Sequence, residues 1–348
     1  SCGAAPPGES AATPAASRAE NLAVQEMGRF AQPWAMAFLP GGQQALVSER
    51  AGKLMLWQNG APPQPVGGVP TVDYGGQGGL GDVALSPGFA QDRTVYLSWV
   101  EAGEADTRGA VVGRARLITD AASPRLEGLE VIWRQAPQVT GRGHYSHRLA
   151  FSPDGQSLYI ASGDRQKMTP AQDRSSDLGK IFRVPLANPA AREVVSLGHR
   201  NMLGLAHDAQ GRLWALEHGP RGGDELNLVK PGGNYGWPLV SNGDHYDGRA
   251  IPRHATSADF VLPAISWMPV IAPGGMIFYS GALFPDWRGQ AVIAGLGSQG
   301  LVRVRIEGET AREVARHPLG NRIRAIAQHP DGSIWVLEDG DDARLLRL

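Results

Sequence analysis

Cysteine is all but missing from this 348-residue chain: Cys2 is the only one, so no disulfide can form within the molecule and disulfide chemistry reports nothing about its redox compartment. An excess of charge of either sign is missing too. Lys and Arg number 33 against 34 Asp and Glu, a formal net charge of −1, so no summed basic field draws the chain to nucleic acid or to an anionic membrane. No apolar run reaches about 18 residues, the length a membrane-crossing helix requires. Helical periodicity does not persist beyond a turn or two. What the chain does have is 46 Gly and 26 Pro scattered between apolar runs, nine Trp, and 42% of its residues in the hydrophobic set. That composition excludes wholesale disorder and points to many short strands joined by turns.

One pattern returns six times: a Pro- or Gly-bearing turn followed by an alternating apolar stretch. Leu39-Pro40 leads into residues 45–57, Ser86-Pro87 into 94–100, and Ser152-Pro153-Asp154-Gly155 into 157–162. His207-Asp208 leads into 212–217, Phe284-Pro285 into 290–296, and His329-Pro330-Asp331-Gly332 into 333–338. Spacings of roughly 45 to 76 residues suit one four-stranded blade each, with longer gaps filled by inserted loops. The expected fold is all-β, a six-bladed β-propeller over residues 21–348. Its ring needs a joint, and residues 21–27 pairing with the carboxyl-terminal 344–348 would supply one and cover two strand edges.

Residues 1–20 are rich in Ala, Pro and Ser and read as a tether. Cys2 at the head of such a spacer resembles the end of a bacterial lipobox, which would make it a lipid-anchored residue outside the cytoplasm; the bland alternative is an ordinary terminus with an idle thiol.

Four polar loop segments carry chemistry. Gly75-Gly76-Gln77-Gly78-Gly79 surrounds one amide with four glycines, which lets backbone approach a ligand, but it lacks the Lys and the following helix of a phosphate loop. Gly143-His144-Tyr145-Ser146-His147-Arg148 offers an imidazole able to take a proton from a hydroxyl, or a hydrogen-bonded structural histidine; a zinc site lacks partners there. Arg200-Asn201 between apolar runs could bind a carboxylate or carbonyl, or bridge two blades. The longest segment, residues 217–227 closing at 233–238, combines free carbonyls with Asp224 and Glu225 and reads either as a calcium loop or as a solvated acidic turn.

These segments occur in one order: Gly-Gln-Gly-Gly-Leu (76–80), Gly-His-x-x-x-Arg-Leu (143–149), Gly-His-Arg-Asn (198–201), Glu-His-Gly-Pro-Arg-Gly-Gly-Asp-Glu (217–225) and Asn-Tyr-Gly-Trp-Pro (234–238). The series continues through Ile-Ala-Pro-Gly-Gly-Met (271–276) and Arg-Ile-Arg (322–324). It resembles the soluble aldose sugar dehydrogenases that use pyrroloquinoline quinone (PQQ), within the glucose/sorbosone dehydrogenase family. The resemblance implies a six-bladed propeller, His144 as catalytic base and Asp164 as the acid that orients it. It also implies Gln77, Arg200 and Asn201 beside the quinone, with Arg200 stabilising the charge that develops there. Gly219 and Pro220 would hold a calcium ion against the cofactor through their carbonyls, and Glu225 with Tyr235 a second, structural calcium.

The implied reaction is oxidation of an aldose, or another alcohol, to a lactone by hydride transfer to the quinone. Electrons would pass to a quinone or cytochrome in the periplasm, with contact to membrane only through Cys2. The chain departs from the pattern in three places. A lysine that relatives place near the cofactor carboxylates is replaced in residues 277–280, with Arg221, Arg303 or Arg324 as candidates to compensate; His147 stands where relatives carry a small residue; and Met202-Leu203 replaces a Pro-Gln pair. Trp267 is a candidate platform under a sugar ring, or a core residue. The rival readings are a calcium-dependent lactonase-type hydrolase and a non-catalytic propeller that binds carbohydrate or protein.

Overall fold

The computed structural model describes residues 22–120 and 123–348, and the backbone of Ser10–Ala12 and Arg18–Ala19. Among them are six sheets, each built on four antiparallel strands arranged from the axis outward and consecutive in sequence, save that the sixth borrows its outer strand; two of the sheets carry a fifth, parallel strand at the outer edge. The innermost strands are Pro33–Phe38, Leu80–Leu85, Ser146–Phe151, Asn201–His207, Pro273–Phe278 and Ile323–Gln328. Each touches the innermost strand of the next sheet and the last touches the first, which closes a six-bladed β-propeller. The one α-helix among the described residues is the single turn Phe89–Asp92.

The six sequence turns are the six connections from innermost to second strand. Leu39-Pro40 follows Pro33–Phe38, His329-Pro330 follows Ile323–Gln328, and the other four stand at the same place in their blades. The apolar core is correspondingly six wedges between neighbouring blades. Leu46 and Trp34 of the first blade meet Leu97 and Trp99 of the second, and Tyr279 and Val292 of the fifth meet Val336 and Leu346 of the sixth. Alternation within each strand sends successive side chains into opposite wedges, so strands buried on both faces read as nearly continuous apolar runs.

The joint lies further along the chain than expected. Gln25–Phe30, not residues 21–27, pairs antiparallel with Ala343–Arg347 and completes the sixth blade. Leu22 instead packs against the wedge between the fifth and sixth blades, and the ladder runs to Phe30, whose ring is buried in the wedge shared with the first blade. Ahead of it, Ser10–Ala12 pairs in parallel with Ile265–Trp267 and Arg18–Ala19 with Ala315 and Arg316. Cys2 and most of the expected tether lie outside the described residues.

Every innermost strand opens with a register slip against its neighbour: between Pro33 and Ala35, Leu80 and Val83, Ser146 and Leu149, Met202 and Gly204, Pro273 and Gly275, and Ile323 and Ala325. A bulge adds twist and re-aims side chains. Six of them at one level form one mouth of the propeller.

Candidate active site

A cavity of about 240 Å³ sits at that mouth. Its wall alternates between two kinds of position. Trp34, Ser146, Asn201 and Arg324 come from the bulged starts of innermost strands, while Arg50, His218 and Leu296 come from the ends of second strands, which the ladders set opposite. Asn201 faces His218 directly in register. Gln77 and His144 enter from the loops that precede the second and third blades.

His144 is held in this wall through both its ring and its main chain. Its Nδ1 lies 2.7 Å from Asp164 Oδ1, and Asp164 also accepts the Trp237 indole N–H at 2.8 Å and the Gln166 backbone N–H at 3.0 Å. A carboxylate that accepts on both oxygens puts the imidazole proton on Nδ1 and leaves Nε2 with its lone pair. Asp164 is fully buried. The His144 backbone N–H donates to Gln77 Oε1 at 2.9 Å, so the glycine-flanked amide fixes the histidine's main chain. That main chain is unusual: His144, Ser146 and His147 all have positive φ, at 51°, 63° and 69°. Backbone held there costs energy and persists because surrounding groups over-determine it. Arg165 does much of that holding, donating to the carbonyls of Gly141, Gly143 and Arg108 and lying 4.1 Å above the Tyr145 ring.

Arg200 and Asn201 flank the histidine. Arg200 donates from Nη1 to the carbonyls of His218 at 3.2 Å and Gly219 at 2.8 Å, while its buried Nε has no partner. Asn201 Oδ1 accepts the Ser146 backbone N–H at 3.2 Å. His218 Nε2 donates to the Pro273 carbonyl, and burial together with Arg200, Arg324 and His144 pushes this histidine down to about 3. His147 stacks on Tyr145 at 5.3 Å; both of its nitrogens are buried without partners, and burial together with Arg165 and Arg148 pushes it down to about 3.

Gly219, Pro220, Glu225 and Tyr235 line one small void of about 10 Å³ on the far side of Arg200 and His218. Asp224 shapes it by accepting the backbone N–H groups of Gly219, Ile271 and Ala272, and burial raises this carboxyl to about 6. Glu225 accepts from Asn227 Nδ2 at 3.1 Å, as Glu217 does at 3.0 Å. Burial, with the Glu217 charge beside it, pushes Glu225 up to about 7. The Tyr235 hydroxyl is fully engaged, donating to the Leu228 carbonyl and accepting from Lys230 N, so this residue can offer a cation only its carbonyl.

Several expectations change. Trp267 is no platform: it is 1% exposed, packed in the wedge between the fourth and fifth blades and bonded to Glu313. Of the three arginines considered to replace the missing lysine, Arg324 lines the cavity, Arg303 is held at Gln290 in the fifth blade, and Arg221 pairs through its backbone with Asp244. Met202 is buried in a wedge and Leu203 faces the cavity. Arg50, Arg322, His218 and Tyr246 join the site unannounced. Arg322 was open to discovery, because it stands two residues from Arg324 in the Arg-Ile-Arg motif, and alternate residues of an extended segment share a face.

The wall as a whole carries Arg50, Arg200, Arg322 and Arg324, and no Asp or Glu lines this chamber. A cationic pocket around one oriented imidazole is the setting for an anionic cofactor and proton abstraction. The family model described as "Glucose / Sorbosone dehydrogenase" matches residues 30–347. The chain belongs to the glucose/sorbosone dehydrogenase family. The aldose sugar dehydrogenase YliI of Escherichia coli is 37% identical over 334 residues, covering 91% of this chain and 89% of that protein. A glucose dehydrogenase crystal structure superposes with a TM-score of 0.87 at 38% identity, covering 94% of this chain and 99% of that one. The PQQ-bound form of an aldose sugar dehydrogenase from Streptomyces coelicolor superposes with a TM-score of 0.74 at 29% identity, covering 95% and 99%. Membership makes this glucose/sorbosone dehydrogenase family protein an oxidoreductase of the sugar dehydrogenase class.

Proposed function

We propose that the protein oxidises aldoses to lactones with PQQ and calcium, and that His144 is the base. The observation that carries this reading is the His144–Asp164 pair opening onto a chamber with four arginines and no carboxylate. A quinone bearing several carboxylates fits such a wall, with Arg322 and Arg324 replacing the missing lysine and the partnerless Arg200 Nε available to a quinone oxygen. A cation fits the small void next to it, where the Gly219 and Pro220 carbonyls and the Glu225 carboxylate offer hard oxygen donors. Gly219 and Pro220 would serve a cofactor-side ion, and Glu225 with the Tyr235 carbonyl a structural one.

His144 Nε2 takes the proton of the sugar's anomeric hydroxyl while Asp164 stabilises the imidazolium that forms. Arg200 and Asn201 present N–H donors where negative charge grows. Gln77 keeps the histidine's backbone in its strained turn. PQQ, held beside Gln77, Arg200 and Asn201, would supply a two-electron acceptor for the hydride lost from sugar C1. A calcium ion held by the Gly219 and Pro220 carbonyls would supply Lewis-acid chemistry at that site. We assign the reaction to the periplasm, with a quinone or cytochrome as the next acceptor and Cys2 as the one point of membrane attachment.

A lactonase-type hydrolase requires several carboxylates on an axial metal, and the inner chamber has none. The test is dye reduction by apo-protein with an aldose panel, with and without PQQ and calcium, and with a chelator control. Activity that needs both additions is the expected result. No activity and no thermal shift with PQQ overturns the reading in favour of a binding propeller.

A further inference from the structure

The innermost strands pair with a neighbour on one side only, so their axial edges carry backbone groups that no ladder uses. One to three residues beyond the chamber-lining Trp34, Asn201 and Arg324, a separate cavity of about 110 Å³ lies on the axis, walled by all six innermost strands. Two charged side chains stand in that wall, Asp82 and Arg148, and both are buried. The chemistry assigned to His144 uses neither.

Arg148 belongs to the third blade and reaches four others. Its Nε donates to the Leu203 carbonyl of the fourth blade at 2.8 Å, its Nη2 to the Gly274 carbonyl of the fifth, and its Nη1 to Asp82 Oδ1 of the second at 3.3 Å. Its guanidinium lies 4.0 Å from the ring centroid of Trp34, in the first. Asp82 braces it: Oδ1 also accepts the Val83 backbone N–H at 3.0 Å, and Oδ2 accepts the Leu149 N–H at 2.9 Å, which ties the second blade to the third. A planar fork with donors in fixed directions meets three acceptors at once, and an ammonium on a flexible stem does not reproduce that geometry. What these contacts hold is the chamber. Trp34 and Leu203 line it, Gly274 follows Pro273, whose carbonyl accepts His218, and Arg148 itself follows His147. Burial disfavours the charged form of both groups, pushing Asp82 up and Arg148 down, and apolar side chains of the same volume would fill the axis without that penalty. The pair is better explained by the geometry it imposes.

We propose that Arg148, braced by Asp82, is a positioning residue for cofactor binding: it draws five blades onto one guanidinium and so fixes the floor of the chamber, Trp34 and Leu203, in the shape that PQQ fits. The inference rests on the dehydrogenase reading for the name of the cofactor. The clasp itself stands on the hydrogen bonds.

The first variant is Arg148→Ala, which opens a space continuous with the axial cavity. The readout is the dissociation constant for PQQ, taken by calorimetry on apo-protein with calcium present and with the fold verified by circular dichroism. It should rise about tenfold or more, the scale on which a site loosened by about 1 Å loses function. Millimolar ethylguanidinium should restore most of the affinity; ethylammonium, which has the charge but not the fork, should not, and Arg148→Lys should behave like Arg148→Ala. Wild-type affinity in folded Arg148→Ala, no recovery with ethylguanidinium, or equal recovery with ethylammonium or in Arg148→Lys overturns the proposal, because Arg148 is then a structural residue or a bare charge. If Arg148→Ala does not fold, Asp82→Asn, which keeps the volume and removes the brace's charge, should raise the constant at least about threefold, and an unchanged constant overturns the proposal. If the wild type binds no PQQ, the dehydrogenase reading fails on its own and the melting temperature decides. Saturable stabilisation of Arg148→Ala by ethylguanidinium, with none in the wild type, then still upholds the clasp, and equal responses remove it.

Discussion

His144 is one imidazole among nine histidines, and what sets it apart is its neighbours. Its Nδ1 proton is committed to Asp164, whose second oxygen is in turn committed to the Trp237 indole. General-base catalysis typically contributes a hundredfold to ten-thousandfold, so His144→Ala should lower kcat by at least about a hundredfold. Asp164→Asn can accept one bond but not both, and it loses the charge that stabilises the imidazolium; kcat should fall by about as much with KM changed little. Trp237→Phe keeps the ring and removes only the N–H, so about a tenfold loss is expected. Steady-state kinetics on the loaded enzyme measure all three, and a Trp237→Phe loss as large as that of His144→Ala would show the indole doing more than supporting Asp164. At this scale the sequence is readable where a residue sits in a motif and misleading where burial decides. His144, Gln77, Arg200 and Asn201 line one chamber, because glycine-rich loops and bulged strand starts deliver them there. Trp267 belongs to the core instead, since nothing in a Ser-Trp-Met stretch tells a wedge-filling indole from a platform. His218 escaped notice because its position depends on pairing with Asn201 across the ladder.

The element that fixes the base is a pair of loops pressed together, residues 141–147 and 163–168. Gly163 lies where they touch: a Cβ there would come within 1.8 Å of the His144 carbonyl oxygen. The neighbour is backbone and cannot swing aside, so Gly163→Ala must displace the loop that carries the base. A loss of about 1–3 kcal/mol in stability, the usual cost of overpacking, should come with a fall in kcat larger than that stability loss explains. Gly28 is the matched control, because a Cβ there meets the Trp57 and Phe30 side chains at an ordinary 3.4–3.5 Å. Gly28→Ala should leave both kcat and the melting temperature nearly unchanged. Equal effects at the two positions would remove close approach as the reason for Gly163. The six turns were legible at this scale, since Pro and Gly between alternating runs have one common use. The six bulges at the opposite mouth were not. A bulge is a pairing relation between two strands, and no local composition announces it.

As a whole, the molecule is a ring of wedges with its polar chemistry sunk into one end, and that arrangement has a cost measurable in acid. Blade number could be read from the chain because each blade repeats the same turn; the closing strand was misplaced by a few residues because alternation before Gln25 is weak and only the ladder with Ala343–Arg347 sets its register. His147 belongs to the chamber wall, stacked on Tyr145 and edge-on to Trp34, with neither nitrogen bonded. Burial, with Arg165 and Arg148 adding repulsion, lowers its folded value to about 3 from an ordinary 6.5. The sign follows from proton counting. Below pH 6.5 the unfolded chain takes up a proton here that the folded chain refuses, so the unfolded state gains. The stability that this site contributes is therefore complete above pH 6.5, and it drains away as the pH falls toward about 3. One such proton changes stability by about 1.4 kcal/mol per pH unit across that window. Other groups also respond to acid, so the informative quantity is the difference between the wild type and His147→Phe, which keeps a flat ring on Tyr145 and cannot titrate. Denaturant midpoints taken between pH 7.5 and 4 should decline less steeply in the variant, and the two curves should converge or cross as the pH drops. Parallel curves would mean that His147 finds a proton partner or solvent in the folded protein, and that the wall of the chamber is wetter than its packing indicates.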